Sequence, residues 1–368
     1  GERERERTPE HVGETHALTS QEVEERLCAL GAAPSSAIGY TAIDLASLAL
    51  DDVAMLANYP HLCDIVLDGN PLSPEALYHV LVRRGLTSLS LNECGLSSLL
   101  SAESDTNLVP PSISLGTLSL AGNKMREPPC LDFAPYLEKL SMSRNGLRRL
   151  DLPKLDFLRV LDLSHNSIRS IDSIPAMPVR ELNLSNNKLT TLEGIDRLPN
   201  LTRLDVGHNA LTDLDEINGS LHPWLSHVDV SHNQLTMFTS FKPLRTLKLL
   251  RSVNVAGNPI QDIVTIRDIR NGILSDAEQC AFVNSYAQPS TPTTSQIPLA
   301  RLRQLREETL DSLPPTDTPL RWGLITLVPQ CTMMDGKEVG EREAVEAEWW
   351  VRPPVDILRA GQSLIVYE

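Results

Sequence analysis

Phenylalanine, tryptophan and tyrosine together supply only 4% of this 368-residue chain, so a core of any size must be built from aliphatic side chains. Positive charge is also short. Against 48 Asp and Glu stand 33 Lys and Arg, a formal net charge of -15 at pH 7. Such a surface repels phosphate backbones and anionic lipid at long range, which argues against nucleic acid and membrane surfaces as partners. No apolar run is long enough to span a bilayer, and no secretory signal is visible after Gly1. The six cysteines (Cys28, Cys63, Cys94, Cys130, Cys280 and Cys331) form no CxxC pair, so zinc and thiol-redox motifs are missing. The chain reads as reduced and intracellular. Its three Asn-x-Ser/Thr matches, at Asn183, Asn200 and Asn218, are then incidental. Also missing are GxSxG, GxxxxGK[ST], HExxH and GxGxxG. The expectation is a non-enzymatic chain with no cofactor, no metal and no small-molecule substrate.

What is present is leucine at a regular beat. The template LxxLxLxxNxL is clearest at Val179, Leu182, Leu184, Asn187 and Leu189. Ten first positions share one register: Tyr40, Leu62, Leu86, Leu115, Leu137, Leu158, Val179, Leu201, Leu225 and Leu250. The asparagine place holds Asn70, Asn123, Asn145, Asn166, Asn187, Asn209, Asn233 and Asn258, with Cys94 and Leu48 in the other two repeats. The xLxLx part is a short strand whose alternate residues face opposite sides. No single coil can bury its leucines alone, so coils must stack. The asparagine amide can satisfy backbone groups where the chain leaves the strand. Repeats of this length leave room only for turns or 3₁₀ segments on the far side.

This pattern resembles the short-repeat intracellular class of leucine-rich repeat proteins, named after the phosphatase regulator in which it was recognised; the segment Leu192 to Leu201 carries the class signature. The resemblance implies an α/β solenoid, a curved parallel β-sheet of about ten repeats over residues 40–263. A helical cap is expected over 18–39 and a leucine-rich repeat cap over 321–348.

The ends follow from local signals. Residues 1–17 read as a solvated, disordered tail. Thr19 with Glu22 makes a capping box that opens a helix, with Gly31 as its stop. Residues 264–320 read as a helical insertion with a linker at 287–298, and Leu299, Leu302, Leu305 and Leu313 line one helix face. That stripe packs on the solenoid flank or docks a partner. In the C-terminal cap, Pro329, Cys331, Met334, Asp335 and Arg342 take places that the resemblance assigns. The tail, 349–368, carries Trp349, Trp350 and Tyr367 and either folds back over the cap or anchors in a neighbour.

The register also picks out the inner, concave face. One row runs Asp44, Val66, Ser90, Ser119, Ser141, Asp162, Asn183, Asp205, Asp229 and Asn254; the row before it includes Asp64, Ser88, Thr117, Lys139, Val160, Glu181, Arg203 and His227. This face is polar, acidic toward its C-terminal half and free of aromatics, so a partner there is held by charge and hydrogen bonds. Asp162, Glu181, Asp205, His227 and Asp229 are its candidate contacts. His165, His208 and His232 each precede a repeat asparagine, which fits an ordinary turn better than a metal site.

Three scaffold roles are open. The stretch from Leu18 through Leu72, with a helix opened by Leu-Thr, a Tyr-led first repeat and Asn58-Tyr59-x-His61-Leu62, resembles the leucine-rich repeat protein of ciliary radial spokes. That resemblance implies a cytoplasmic structural subunit of a ciliary or flagellar axoneme, bound to other proteins of a large assembly. The class's founding member implies a phosphatase regulatory subunit. Other short-repeat, capped proteins imply a spliceosomal protein-binding subunit.

Overall fold

The structure, a computed structural model, describes residues 15–32, 38–83, 85–99, 114–260 and 330–340, together with 325, 328, 343, 344 and 347. They fall into two compact units divided between Asn209 and Ala210.

In the first unit, each coil contributes one short strand. These are β3 (Ile38–Asp44), β5 (Asp64–Val66), β6 (Ser88–Ser90), β7 (Thr117–Ser119), β8 (Lys139–Ser141), β9 (Val160–Asp162), β10 (Glu181–Asn183) and β11 (Arg203–Asp205), paired parallel and in order. The middle residue of each strand points inward: Ile65, Leu89, Leu118, Leu140, Leu161, Leu182 and Leu204 are buried, as are the first-position residues from Leu62 to Leu201. Burying each such side chain stabilises the fold by roughly 1.5–3 kcal/mol. Because every coil repeats the same inward set, the core is a continuous aliphatic column that no coil could form alone. Tyr40, expected at a first position, is instead 47% exposed. Here β3 runs straight through residue 40, and strand alternation puts Tyr40 on the same side of the sheet as Ala42 and Asp44, away from the core that buries Ile43. In the other coils the strand is only three residues long and starts after the first leucine, which stays inside.

The N-terminal helix is shorter than its sequence suggests. Helix α1 (Ser20–Arg26) opens with both halves of the capping box formed by Thr19 and Glu22, but it ends at Arg26 rather than at Gly31. Leu27–Ala32 forms β2, antiparallel to β3 on the outer edge. Edge pairing with β3 outweighs the helix propensity of this segment. Just outside, β1 (His16–Ala17) pairs with β4 (Leu50–Asp52). On the far side of the coils lie 3₁₀ turns at Ala54–Asn58 and Ile195–Arg197 and the α-helix α2 (Pro74–Leu81), started by Ser73 as N-cap with Pro74 in its first turn.

The second unit continues the motif with β12 (His227–Asp229) and β13 (Ser252–Asn254), and with a 3₁₀ turn over Phe238–Thr246. The strand parallel to β13 on its free side is β14 (Met333–Met334), which turns back into β15 (Lys337–Glu338). The turn is Asp335-Gly336, both at positive φ (49° and 73°), as a two-residue hairpin demands. Asp335 also accepts the Val255 N–H at 2.8 Å, and buried Cys331 donates to the Arg251 carbonyl at 3.2 Å. Pro329 and Arg342 lie outside the described residues.

The asparagines supply the link between coils. Asn187 Nδ2 donates to Leu163 O at 3.0 Å and to Leu184 O at 2.9 Å, and its Oδ1 accepts from Ile168 N at 3.1 Å. Asn70, Asn123, Asn145, Asn166 and Asn209 repeat this bonding in their own coils. Cys94 fills the same place with a thiol donated to Leu67 O at 3.3 Å, and burial pushes its pKa up to about 11.

Candidate protein-binding face and rim

The strand register places the predicted face residues side by side. In the first unit one row aligns Lys139, Val160, Glu181 and Arg203, and a second aligns Ser141, Asp162, Asn183 and Asp205. In the second unit His227 lies beside Ser252 and Asp229 beside Asn254. The two rows differ in what they offer. The second-row acids close their own turns. Asp162 accepts from the Ser164 N–H at 3.1 Å and from Ser141 Oγ at 3.2 Å, and Asp205 accepts from the Gly207 N–H at 3.0 Å. Asp229 accepts from the Ser231 N–H and hydroxyl at 2.9 and 2.6 Å and from Asn254 Nδ2 at 2.7 Å. Such carboxylates hold the chain as it leaves the strand, as Asx turns do. The first row is freer to meet a partner: Lys139, Glu181 and Arg203 are exposed. His227 is half-buried, with its Nδ1 2.8 Å from Ser226 Oγ. Trp349, Trp350, Tyr367, Leu302 and Leu305 lie outside the described residues.

The histidines before the asparagines have a backbone reason. His165, His208 and His232 take φ of 56°, 55° and 51°, and Asn186, Arg144 and Glu93 do the same in their coils. Each coil needs a left-handed residue there, a conformation His and Asn tolerate better than most side chains. Gly257 fits because an added Cβ would fall 2.4 Å from His232 Nδ1 in the neighbouring coil. Among the described residues no three His, Cys, Asp or Glu side chains gather as a metal site would need, and no helix is long and apolar enough to cross a membrane.

One feature escaped the strand-based reading. The residue just before the first leucine of a coil sits on the rim where the chain enters the strand. There Tyr136 and Phe157 stand 47% and 48% exposed in adjacent coils, their ring centroids 5.2 Å apart. In the second unit the same position holds Trp224, 58% exposed, and Leu249, 45% exposed. The signal was in the register, one residue upstream of the first leucine and three upstream of the first-row strand residues Lys139 and Val160.

Residues 179–219 match the sequence profile described as Leucine Rich repeats (2 copies), and residues 157–177 that described as Leucine Rich Repeat. A leucine-rich repeat protein of Leptospira interrogans superposes with a TM-score of 0.50 at 28% identity, over 62% of this chain and 57% of that one. This chain is a leucine-rich repeat solenoid. An internalin of Listeria monocytogenes matches at 17% identity with a TM-score of 0.43, over 58% of this chain and 66% of that one. A chain of the mouse RP105/MD-1 complex matches at 26% identity with a TM-score of 0.47, over 59% of this chain and 38% of the other. The solenoid thus spans less than two thirds of the length of each of these structures. No curated protein matches it in sequence. Leucine-rich repeat solenoids are typically non-enzymatic, and they act as scaffolds for protein–protein interaction.

Proposed function

We propose that this solenoid is a non-enzymatic structural subunit of a large cytoplasmic protein assembly, of the kind found in the axoneme of cilia and flagella. The observation that carries the scaffold part is the first row of the sheet. Lys139, Glu181 and Arg203 stand exposed at strand spacing, an extended array suited to another protein and not to enclosing a small molecule. The axonemal part is supported by the stretch from Leu18 to Leu72 and its resemblance to the radial-spoke leucine-rich repeat protein. Partners are then neighbouring assembly proteins, with no cofactor, nucleic acid or membrane required. The tail residues Trp349, Trp350 and Tyr367 supply an anchor of the residue types that dominate interface energetics.

The test is localisation. A fluorescently tagged chain expressed in ciliated cells is expected to remain with the axoneme after detergent extraction. A soluble or nuclear distribution after the same extraction overturns the axonemal reading and moves weight to a phosphatase regulator or a spliceosomal subunit.

A further inference from the structure

A basic and aromatic strip runs across four adjacent coils of the first unit, on a chain whose formal net charge is -15. Its apolar part is the Tyr136–Phe157 ring pair on the rim. Its charged part is Lys139, Arg159, Arg180 and Arg203, all exposed. Backbone bonds stack Arg159 and Arg180 coil on coil in the row Glu138, Arg159, Arg180 and Thr202: the Arg159 N–H donates to Glu138 O, the Arg180 N–H to Arg159 O and the Thr202 N–H to Arg180 O, each at 2.8 Å. Lys139 and Arg203 lie one residue further along their coils, in the adjacent row. The strip also holds two carboxylates, Glu138 and Glu181. Glu138 reaches Arg159 only at 3.9 Å, with both side chains half exposed, a contact that holds the cation weakly. Among these side chains four cations outnumber two carboxylates beside an exposed ring pair, while the second-row Asp162 and Asp205 on the same strands are engaged by their own turns.

We propose that this strip docks an acidic peptide segment of a partner protein, one that carries an apolar side chain for Tyr136 and Phe157 to cover. Charge complementarity selects the occupant. A short acidic segment meets the local positive strip, and arginines give it directional contacts to carboxylates. A long polyphosphate chain extends beyond the strip onto a surface of its own sign. A second copy of this chain brings the same net negative charge. The ring pair supplies the apolar contact that a purely ionic patch lacks, and aromatic and arginine side chains together are the usual composition of an energetic interface centre. This proposal rests on the scaffold reading only in taking the ligand to be protein.

The experiment uses the full chain and a fluorescein-labelled dodecapeptide of Glu and Asp around a central Leu-Phe pair, read by anisotropy at low salt. Saturable binding is expected, at least ~10-fold weaker in Arg159→Glu/Arg180→Glu and in Tyr136→Ala/Phe157→Ala, since each pair removes a central part of the contact. Lys188→Glu, which removes an exposed cation outside the strip, is expected to change binding less than ~2-fold. Circular dichroism melts establish that the variants fold. The proposal is overturned by equal binding in the strip variants, by no saturation up to ~500 µM peptide, or by single-stranded RNA that displaces the peptide and binds more tightly. It is also overturned if the wild type sediments as a dimer that the strip variants dissolve, since a second copy would then own the strip. Absence of peptide binding by the wild type alongside retained axonemal localisation would remove the strip and leave the scaffold reading standing.

Discussion

Removing one asparagine from the ladder should cost far more than its size suggests. In Asn187→Ala, the Leu163 and Leu184 carbonyls lose a donor and the Ile168 N–H loses its acceptor, all beside a side chain only 9% exposed. A net hydrogen bond contributes about 1 kcal/mol, and a buried group left without a partner costs ~1–3 kcal/mol. Three groups affected together give an expected loss of ~3–5 kcal/mol, less whatever water can recover in the small space left. Urea unfolding followed by circular dichroism measures the loss. Hydrogen exchange locates it, because the Ile168 amide should lose protection before amides in coils farther along the stack, such as that of Leu91. The neighbouring exposed Lys188→Ala is the control, expected within ~0.5 kcal/mol of wild type. A change below ~1 kcal/mol in Asn187→Ala, with Ile168 still protected, would refute the ladder as the link between coils.

Three further outcomes follow from single positions. Gly194→Ala should destabilise by at least ~2 kcal/mol, because φ is +98° and the new Cβ would fall 2.6 Å from Ile171 O; Gly85→Ala, with nothing within 4 Å, should be neutral in the same melt. Arg83 donates to the carbonyls of Leu56, Tyr59 and Leu62 at the end of the Ala54–Asn58 turn, and burial lowers its pKa. Arg83→Ala should therefore cost ~2 kcal/mol in urea unfolding, and Arg83→Lys should recover less than half, since an ammonium cannot span all three oxygens. Glu22 is held down to about 2, first by the hydrogen bond from His16 and then by those from Thr19. A folded pKa below the unfolded one means that its contribution is complete above the ordinary carboxylate range and is lost as pH falls toward 2. The stability difference between wild type and Glu22→Gln should thus be present at about pH 6 and gone near pH 2, and a carboxyl NMR titration centred near ~4.3 would contradict it.

The stacked strands were readable because leucine and asparagine recur in one register, and a period-two strand assigns each neighbour to a face. That same logic placed Lys139, Glu181, Asp162 and Asp205 in their rows. It failed wherever tertiary pairing overrode local preference. Leu27 to Ala32 is a reasonable helix end by composition, yet it pairs with β3 as an edge strand. Tyr40 reads as a first-position residue, yet the straight run of β3 turns it outward. Helix α2 was missed although Ser73-Pro74-Glu75 is a helix start, because the coil's place in the repeat suggested only a turn. The turn-closing use of Asp162, Asp205 and Asp229 needs backbone geometry that residue type does not give. The Tyr136–Phe157 pair needs two coils superposed, since the residues lie far apart in the chain and meet only through stacking.

The central claim, that the solenoid works by binding other proteins of one assembly, is tested most directly by crosslinked affinity purification of the tagged chain from ciliated cells, with partners identified by mass spectrometry and compared with Trp349→Ala/Trp350→Ala. The account predicts stoichiometric enrichment of axonemal structural proteins, reduced in the double variant. Enrichment of a phosphatase catalytic subunit or of a small nuclear ribonucleoprotein, unchanged by the tail substitutions, would contradict it.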